Sequence, residues 1–223
     1  VTFFSSMIFK TSNPQIMSNI GVGELNHAIK QTITVCKFSF LLFSIFSIPL
    51  IVEMPFVLSI WLKNVPDYTI IFCRLTLITS LIIMLTRGLN FLIMGIGKIK
   101  YYEISLSLLN LIVFPISFIV LKMGYSPISV FIGILISDIL VVVVRIFFAS
   151  KYSKMSKIFF CKEIICKIIP LVLMIFAVLT SPVLRFFDNN VINFITTFVF
   201  STLFLSFGFW FFILNQKEQN TLI

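Results

Sequence analysis

Charge is scarce in this sequence: 11% of its 223 residues are Asp, Glu, Lys or Arg, against about 25% in a soluble domain. A chain so poor in charge has too little polar surface to cover a water-facing globule. Histidine occurs once, as His27, and the four cysteines (Cys36, Cys73, Cys161 and Cys166) include no CxxC pair. A zinc site therefore lacks ligands, and no Ser/His/Asp set can be assembled around a lone histidine in the opening segment. Acids number 8, with no carboxylate pair on a predicted outer loop. Gly95-Ile96-Gly97-Lys98-Ile99 is not a phosphate loop, because the first glycine of that motif would fall at Leu92 and no Ser or Thr follows the lysine. No catalytic residue, metal or cofactor is expected.

What is abundant is apolar: 59% hydrophobic residues, 28 of the residues being Phe, and a mean hydropathy of +1.13. Such a chain must face lipid. An apolar run of about 20 residues spans the hydrocarbon as a helix, and spans are predicted at 38–61, 69–93, 103–121, 128–149, 164–184 and 191–214. The expected fold is all-α, a polytopic bundle of about six transmembrane helices. Residues 1–9 read as the end of a preceding helix. Residues 10–36 are richer in polar groups (Asn13, Gln15, Glu24, His27, Gln31), and Leu25, Ile29, Ile33 and Cys36 recur at helical spacing, which predicts an interfacial helix leading into the first span. The division expected is thus 1–37 for this leading segment, 38–149 for four spans, 150–163 for a basic linker, 164–214 for a terminal pair and 215–223 for a tail. Because the chain opens on Val and no basic n-region precedes its first apolar run, it is expected to be the later part of a longer protein.

The net charge of +9 suits topology better than nucleic acid, which needs an exposed basic face. Lys10, Lys30, Lys37, Lys98, Lys100, Arg145, Lys151, Lys154, Lys157, Lys162, Lys167 and Lys217 fall on one side of the predicted spans; Lys63, Arg74, Lys122 and Arg185 fall on the other. The richer side is expected to be cytoplasmic, with both chain ends there. Short outer connections at 62–68, 122–127 and 185–190 carry the turn pairs Pro66-Asp67, Ser126-Pro127 and Asp188-Asn189, so neighbouring helices run antiparallel.

An ionisable group inside a span costs about 2.5–3.5 kcal/mol at the helix centre and so needs a reason. Arg87, with Asn90 one turn away, Asp138 and Glu53 are the candidates for a polar path. The competing structural readings are an Arg87–Asp138 ion pair, snorkelling to an interface, or a plain interfacial place for Glu53. Pro49, Pro55, Pro115 and Pro170 lie within or near spans; each frees a carbonyl four residues earlier, which in lipid must be satisfied by neighbouring helices, hydroxyls or cavity water.

Four stretches carry a resemblance: Asn13-Pro14-Gln15-Ile16 with Gly23-Glu24; Ile48-Pro49-Leu50-Ile51-Val52-Glu53-Met54-Pro55 ahead of Trp61-Leu62; Gly95-Ile96-Gly97-Lys98-Ile99-Lys100-Tyr101; and Pro115-Ile116-Ser117 with Lys122-Met123-Gly124-Tyr125-Ser126-Pro127. In these the chain resembles the C-terminal half of bacterial polysaccharide-biosynthesis flippases, the Wzx-like oligosaccharide-lipid exporters. The resemblance implies that 38–149 are the last four helices of a second six-helix lobe and 164–214 an extra terminal pair, with a first lobe as partner. It implies transport, by alternating access, of a polyprenyl-diphosphate-linked oligosaccharide across the bacterial inner membrane, with cations such as Arg87 attracting the diphosphate and the lipid tail beside the terminal pair. An integral-membrane enzyme acting on polyprenyl-linked sugars is the alternative.

Overall fold

The computed structural model describes residues 2–62, 64–180 and 190–213, and the side chains of 9–62, 64–175 and 190–213. The described chain is helical and without strands: α1 (Thr2–Gly21), α2 (Leu25–Val52), α3 (Met54–Trp61), α4 (Thr69–Met84), α5 (Arg87–Ile96), α6 (Lys100–Lys122), α7 (Ile128–Ser153), α8 (Lys157–Phe160), α9 (Cys166–Thr180) and α10 (Asn190–Gly208). A π-helical turn, Cys161–Ile165, joins α8 to α9, and another, Phe209–Ile213, extends α10. It is an all-α membrane bundle. Among the described residues four helices are long and apolar enough to cross a bilayer, and α4 with α5, bent by 43°, is a fifth if the pair is counted as one span. The fifth expected span, 164–184, has a described helix of only 15 residues, α9, about 22 Å at 1.5 Å per residue; its end at 181–184, most of the loop at 185–190 and the tail at 215–223 lie outside the described residues.

The leading segment is divided differently from the expectation. One helix, α1, runs unbroken through Pro14, Gly23 turns the chain in the left-handed region at φ +85°, and residues 25–36 are the first half of the α2 span itself. The polar side chains that suggested an interface meet one another across this hairpin. Asn19 Nδ2 donates to Gln31 Oε1 at 2.9 Å, Gln31 Nε2 donates to Gln15 Oε1 at 2.6 Å, and Asn19 Nδ2 lies 3.0 Å from His27 Nδ1.

Helix α2 is the hub, in contact with α1, α4, α5, α9 and α10. Its buried positions include the small or hydroxylated Ala28, Thr32, Ser39, Ser44 and Ser47, which let neighbours approach closely, as lipid-embedded helices require. The α5 crossing is close: a Cβ on Gly88 would stand 2.7 Å from Cys36 Sγ and 3.0 Å from the Thr32 carbonyl oxygen. At the other edge α6 packs on α7, and Leu108, Leu111, Phe114 and Phe118 are more than half exposed. That face suits lipid.

The abundant phenylalanine does more than face lipid. Helix α10 lies along α2 and α3 with ring pairs Phe38–Phe209 at 5.7 Å, Phe46–Phe198 at 6.1 Å and Phe56–Phe194 at 5.9 Å, each worth roughly 0.5–1.5 kcal/mol beyond area burial. The terminal helices are also fastened by charge. Lys37, counted as a loop charge in the topology, is fully buried, and its Nζ lies 3.3 Å from Glu163 Oε2. Lys167 Nζ approaches the same carboxylate at 3.1 Å. Ser156 opens this stretch by accepting from the Phe159 amide, and the π-turn, closed by Cys166 N–H to Cys161 O, carries Glu163.

Burial by itself pushes the Glu163 carboxyl up, but the hydrogen bond from Lys167 and the charges of Lys37 and Lys167 outweigh it and hold the group below its ordinary value of 4.5. Because the folded value is depressed, the contribution is fully present above 4.5 and is lost as pH falls through the lower folded value. Thermal unfolding of the purified chain in detergent should therefore show a stability plateau above about pH 5 and an acid-side decline. Glu163→Gln should lower stability by about 3 kcal/mol, since it strands a buried ammonium, and should flatten that decline; an unchanged acid limb would show that the carboxylate is not coupled to folding.

Candidate polar path

Two breaks in the helices organise the polar groups. The first lies at Glu53, between α2 and α3. Pro55 has no N–H to give the Ile51 carbonyl, and Arg74 on α4 replaces it: Nε donates to Ile51 O at 2.9 Å and Nη2 to Val52 O at 3.2 Å. The guanidinium fork thus satisfies two backbone acceptors that lipid would leave bare. Glu53 donates its own N–H to Pro49 O, and its Oε1 accepts from Thr197 on α10 at 3.5 Å, the outer limit of a hydrogen bond. Glu53 therefore links α2 to the terminal helix.

The second break, Leu85–Thr86 between α4 and α5, contains no proline. Leu89 N–H restarts the helix on Thr86 O, and the close approach of Gly88 to α2 sets α5 at its angle. Sharp kinks otherwise arise at Pro, at Gly or Ser pairs or at inserted side chains. Arg87 begins α5, its Cζ 5.3 Å from the centre of the Phe9 ring, a cation–π contact that shields the charge from hydrocarbon. One turn on, Asn90 Oδ1 is buried without a partner, as is Thr86 Oγ1.

Helix α7 packs against α5 and brings a third cation. Arg145 Nε donates to Tyr102 Oη at 3.3 Å, while its Nη1 is buried with no partner. Asp138 stands two turns before Arg145 on α7, in a cavity of about 290 Å³ between α6 and α7 that Asn110, Ser117 and Ser137 also line. Arg87 and Asp138 form no ion pair; the first rests on Phe9 and the second opens toward α6.

The four sequence candidates thus divide. Arg87 and Asn90 share α5, Asp138 occupies the α6–α7 groove, and Glu53 sits at the other break. Sequence reasoning misses Arg74, Arg145, Lys37 and Glu163. The first three count there as topology charges; a signal for Arg74 lies in its position five residues inside a predicted span. Among the described residues no group of three or more His, Cys, Asp or Glu side chains is placed to hold a metal.

The interior thus offers the cations Arg87 and Arg145, an unpaired amide oxygen on α5 and an unpaired guanidinium nitrogen on α7, with the Asp138 carboxylate two turns earlier on α7. The Arg74 brace gives a direct test. Arg74→Gln should destabilise the protein by roughly 1.5–3 kcal/mol, the scale of hydrogen bonds from a charged donor. Pro55→Ala, which returns an N–H to Ile51, should reduce that loss when combined with it. Thermal unfolding of the four proteins decides, and equal losses with and without Pro55 would remove the brace. Compared with protein-family models, with curated proteins and with solved structures, the chain matches none.

Proposed function

We propose that this chain belongs to a transporter, not an enzyme, that moves a polyprenyl-diphosphate-linked oligosaccharide across the bacterial cytoplasmic membrane, both chain ends being cytoplasmic. One observation carries the reading: polar atoms of Thr86, at the 43° bend, of Asn90 on α5 and of Arg145 on α7, which packs against α5, are buried without partners. Hydrocarbon leaves such atoms unsatisfied. A diphosphate supplies acceptors for the guanidiniums, and sugar hydroxyls supply both donors and acceptors for the amide and the hydroxyl. The resemblance of the four quoted stretches to Wzx-like exporters supports the same substrate class.

In this reading Arg87 and Arg145 draw the diphosphate in, Asn90 orients the first sugar, and a first lobe of the same transporter closes the cavity. Alternating access follows from reorientation about the two breaks, with Arg74 keeping the backbone satisfied at one and Gly88 seating α5 at the other. Asp138 responds to a coupling ion from its groove. Glu53, tied to α10, transmits the movement of α3 to the terminal helix.

Complementation of a flippase-deficient strain tests this. The parent gene should restore surface polysaccharide. Arg87→Ala and Asp138→Ala should each lower it at least tenfold, a loss equivalent to about 1.4 kcal/mol or more, while lipid-linked repeats accumulate inside. Arg87→Lys should recover only part, because a point charge does not replace the guanidinium fork. Normal polymer from both alanine variants would sink the assignment, and unfinished repeats would favour the polyprenyl-sugar enzyme.

A further inference from the structure

We propose that the turn between α5 and α6, with the end of α7, is a binding site for the phosphate of an anionic membrane phospholipid. Three lysines, Lys98, Lys100 and Lys151, line one open cavity of about 310 Å³ with Tyr101 and Tyr152. That volume is enough for a phospholipid headgroup. None of the three lysines forms an ion pair with a described carboxylate, so three like charges share a concavity with nothing on its lining to balance them. The nearest acid along the chain, Glu103, lies on the first turn of α6 and does not line the cavity.

The local fold holds this arrangement open. Gly97 ends α5 in the left-handed region at φ +80°, a conformation that costs an L side chain energy, and so reverses the chain tightly enough to bring Lys98 and Lys100 beside α7. Lys98 Nζ sits 6.0 Å from the centre of the Tyr152 ring, which positions it without neutralising it. The first helical hydrogen bond of α6 runs from Glu103 N–H to Ile99 O, so the amides before it leave the positive end of a 23-residue helix at the same turn.

Position identifies the source of the phosphate. The cavity lies at the start of α6 and the end of α7, two helices long and apolar enough to cross a bilayer, and Tyr101 on its lining is 69% exposed, as tyrosines are at headgroup level. Directly along α6 runs the exposed apolar face that acyl chains cover. Lysine pockets between spans at this depth bind anionic headgroups. The site is separate from Arg87, Asn90 and Asp138 and does not depend on the transport reading.

The experiment is native mass spectrometry of the purified full chain released from micelles, titrated with phosphatidylglycerol, phosphatidylcholine or inorganic phosphate. The chain should retain phosphatidylglycerol, and the triple variant Lys98→Gln/Lys100→Gln/Lys151→Gln should bind it at least fivefold more weakly with phosphatidylcholine binding unchanged. Lys122→Gln, at the far end of α6, should bind it as the parent does. Raising salt should weaken binding in the parent more steeply than in the triple variant, a comparison that needs only the residual binding of a folded chain. Equal phosphatidylglycerol affinity in parent and triple variant would overturn the proposal. So would a parallel loss of phosphatidylcholine, which would mark general damage to the lipid-facing surface, or inorganic phosphate held as tightly as the lipid.

Discussion

A lysine sealed from water on a membrane-embedded helix must have its counter-ion, and much of the bundle is arranged around that requirement. Lys37 is fully buried on α2, the hub of the bundle. The way to keep its ammonium charged there is to bring a carboxylate to it, and the carboxylate comes from 126 positions away, Glu163. Since Glu163 sits in the π-turn ahead of α9, satisfying Lys37 also fixes where the terminal helices begin. The phenylalanine ladder from Phe38–Phe209 to Phe56–Phe194 then runs α10 along the same side of α2. Charge selects the register, and dispersion between rings fills it.

The same logic of satisfied polarity governs the backbone. Lipid permits a broken helix only where protein groups take the place of water. At Glu53 this is done by Arg74 with two hydrogen bonds to carbonyls, which requires a cation inside a span. At Thr86 it is incomplete: the chain restarts its helix at once, but the hydroxyl of Thr86 and the amide oxygen of Asn90 stay unmatched. One break is braced and the other is left with open valences, and the proposed function rests on that asymmetry.

The all-α membrane architecture is legible in the sequence because apolar run length is set directly by bilayer thickness. The freed carbonyl before Pro55 is legible too, since a missing N–H is a property of the residue, but the break itself is not, for the span 38–61 reads straight through it. Nor is the Thr86 bend: Pro49, Pro115 and Pro170 lie within continuous helices, whereas the 43° bend between α4 and α5 has no proline. Charge counting fails in a more instructive way. It assigns Lys37, Arg74 and Arg145 to membrane boundaries from their distance along the chain, but which way a side chain points depends on its angle around the helix. Lys37 follows Ile33 by four residues on the stripe that begins at Leu25 and Ile29, so the periodicity already places it on the buried face.

The central claim is that the terminal helices are held on α2 by a buried charge pair, and a double-mutant cycle on Lys37 and Glu163 measures it most directly. Lys37→Met, Glu163→Met and the double variant would be unfolded thermally in detergent. The approach of α10 to α2 would be reported by the disulfide yield when Phe46→Cys and Phe198→Cys are introduced together into each background. The account predicts strong non-additivity: Glu163→Met alone costs more than the double variant, because only the single change strands the buried ammonium, and the cross-link yield recovers in the double. Simple addition of the two single losses, with cross-linking unaffected throughout, would contradict it.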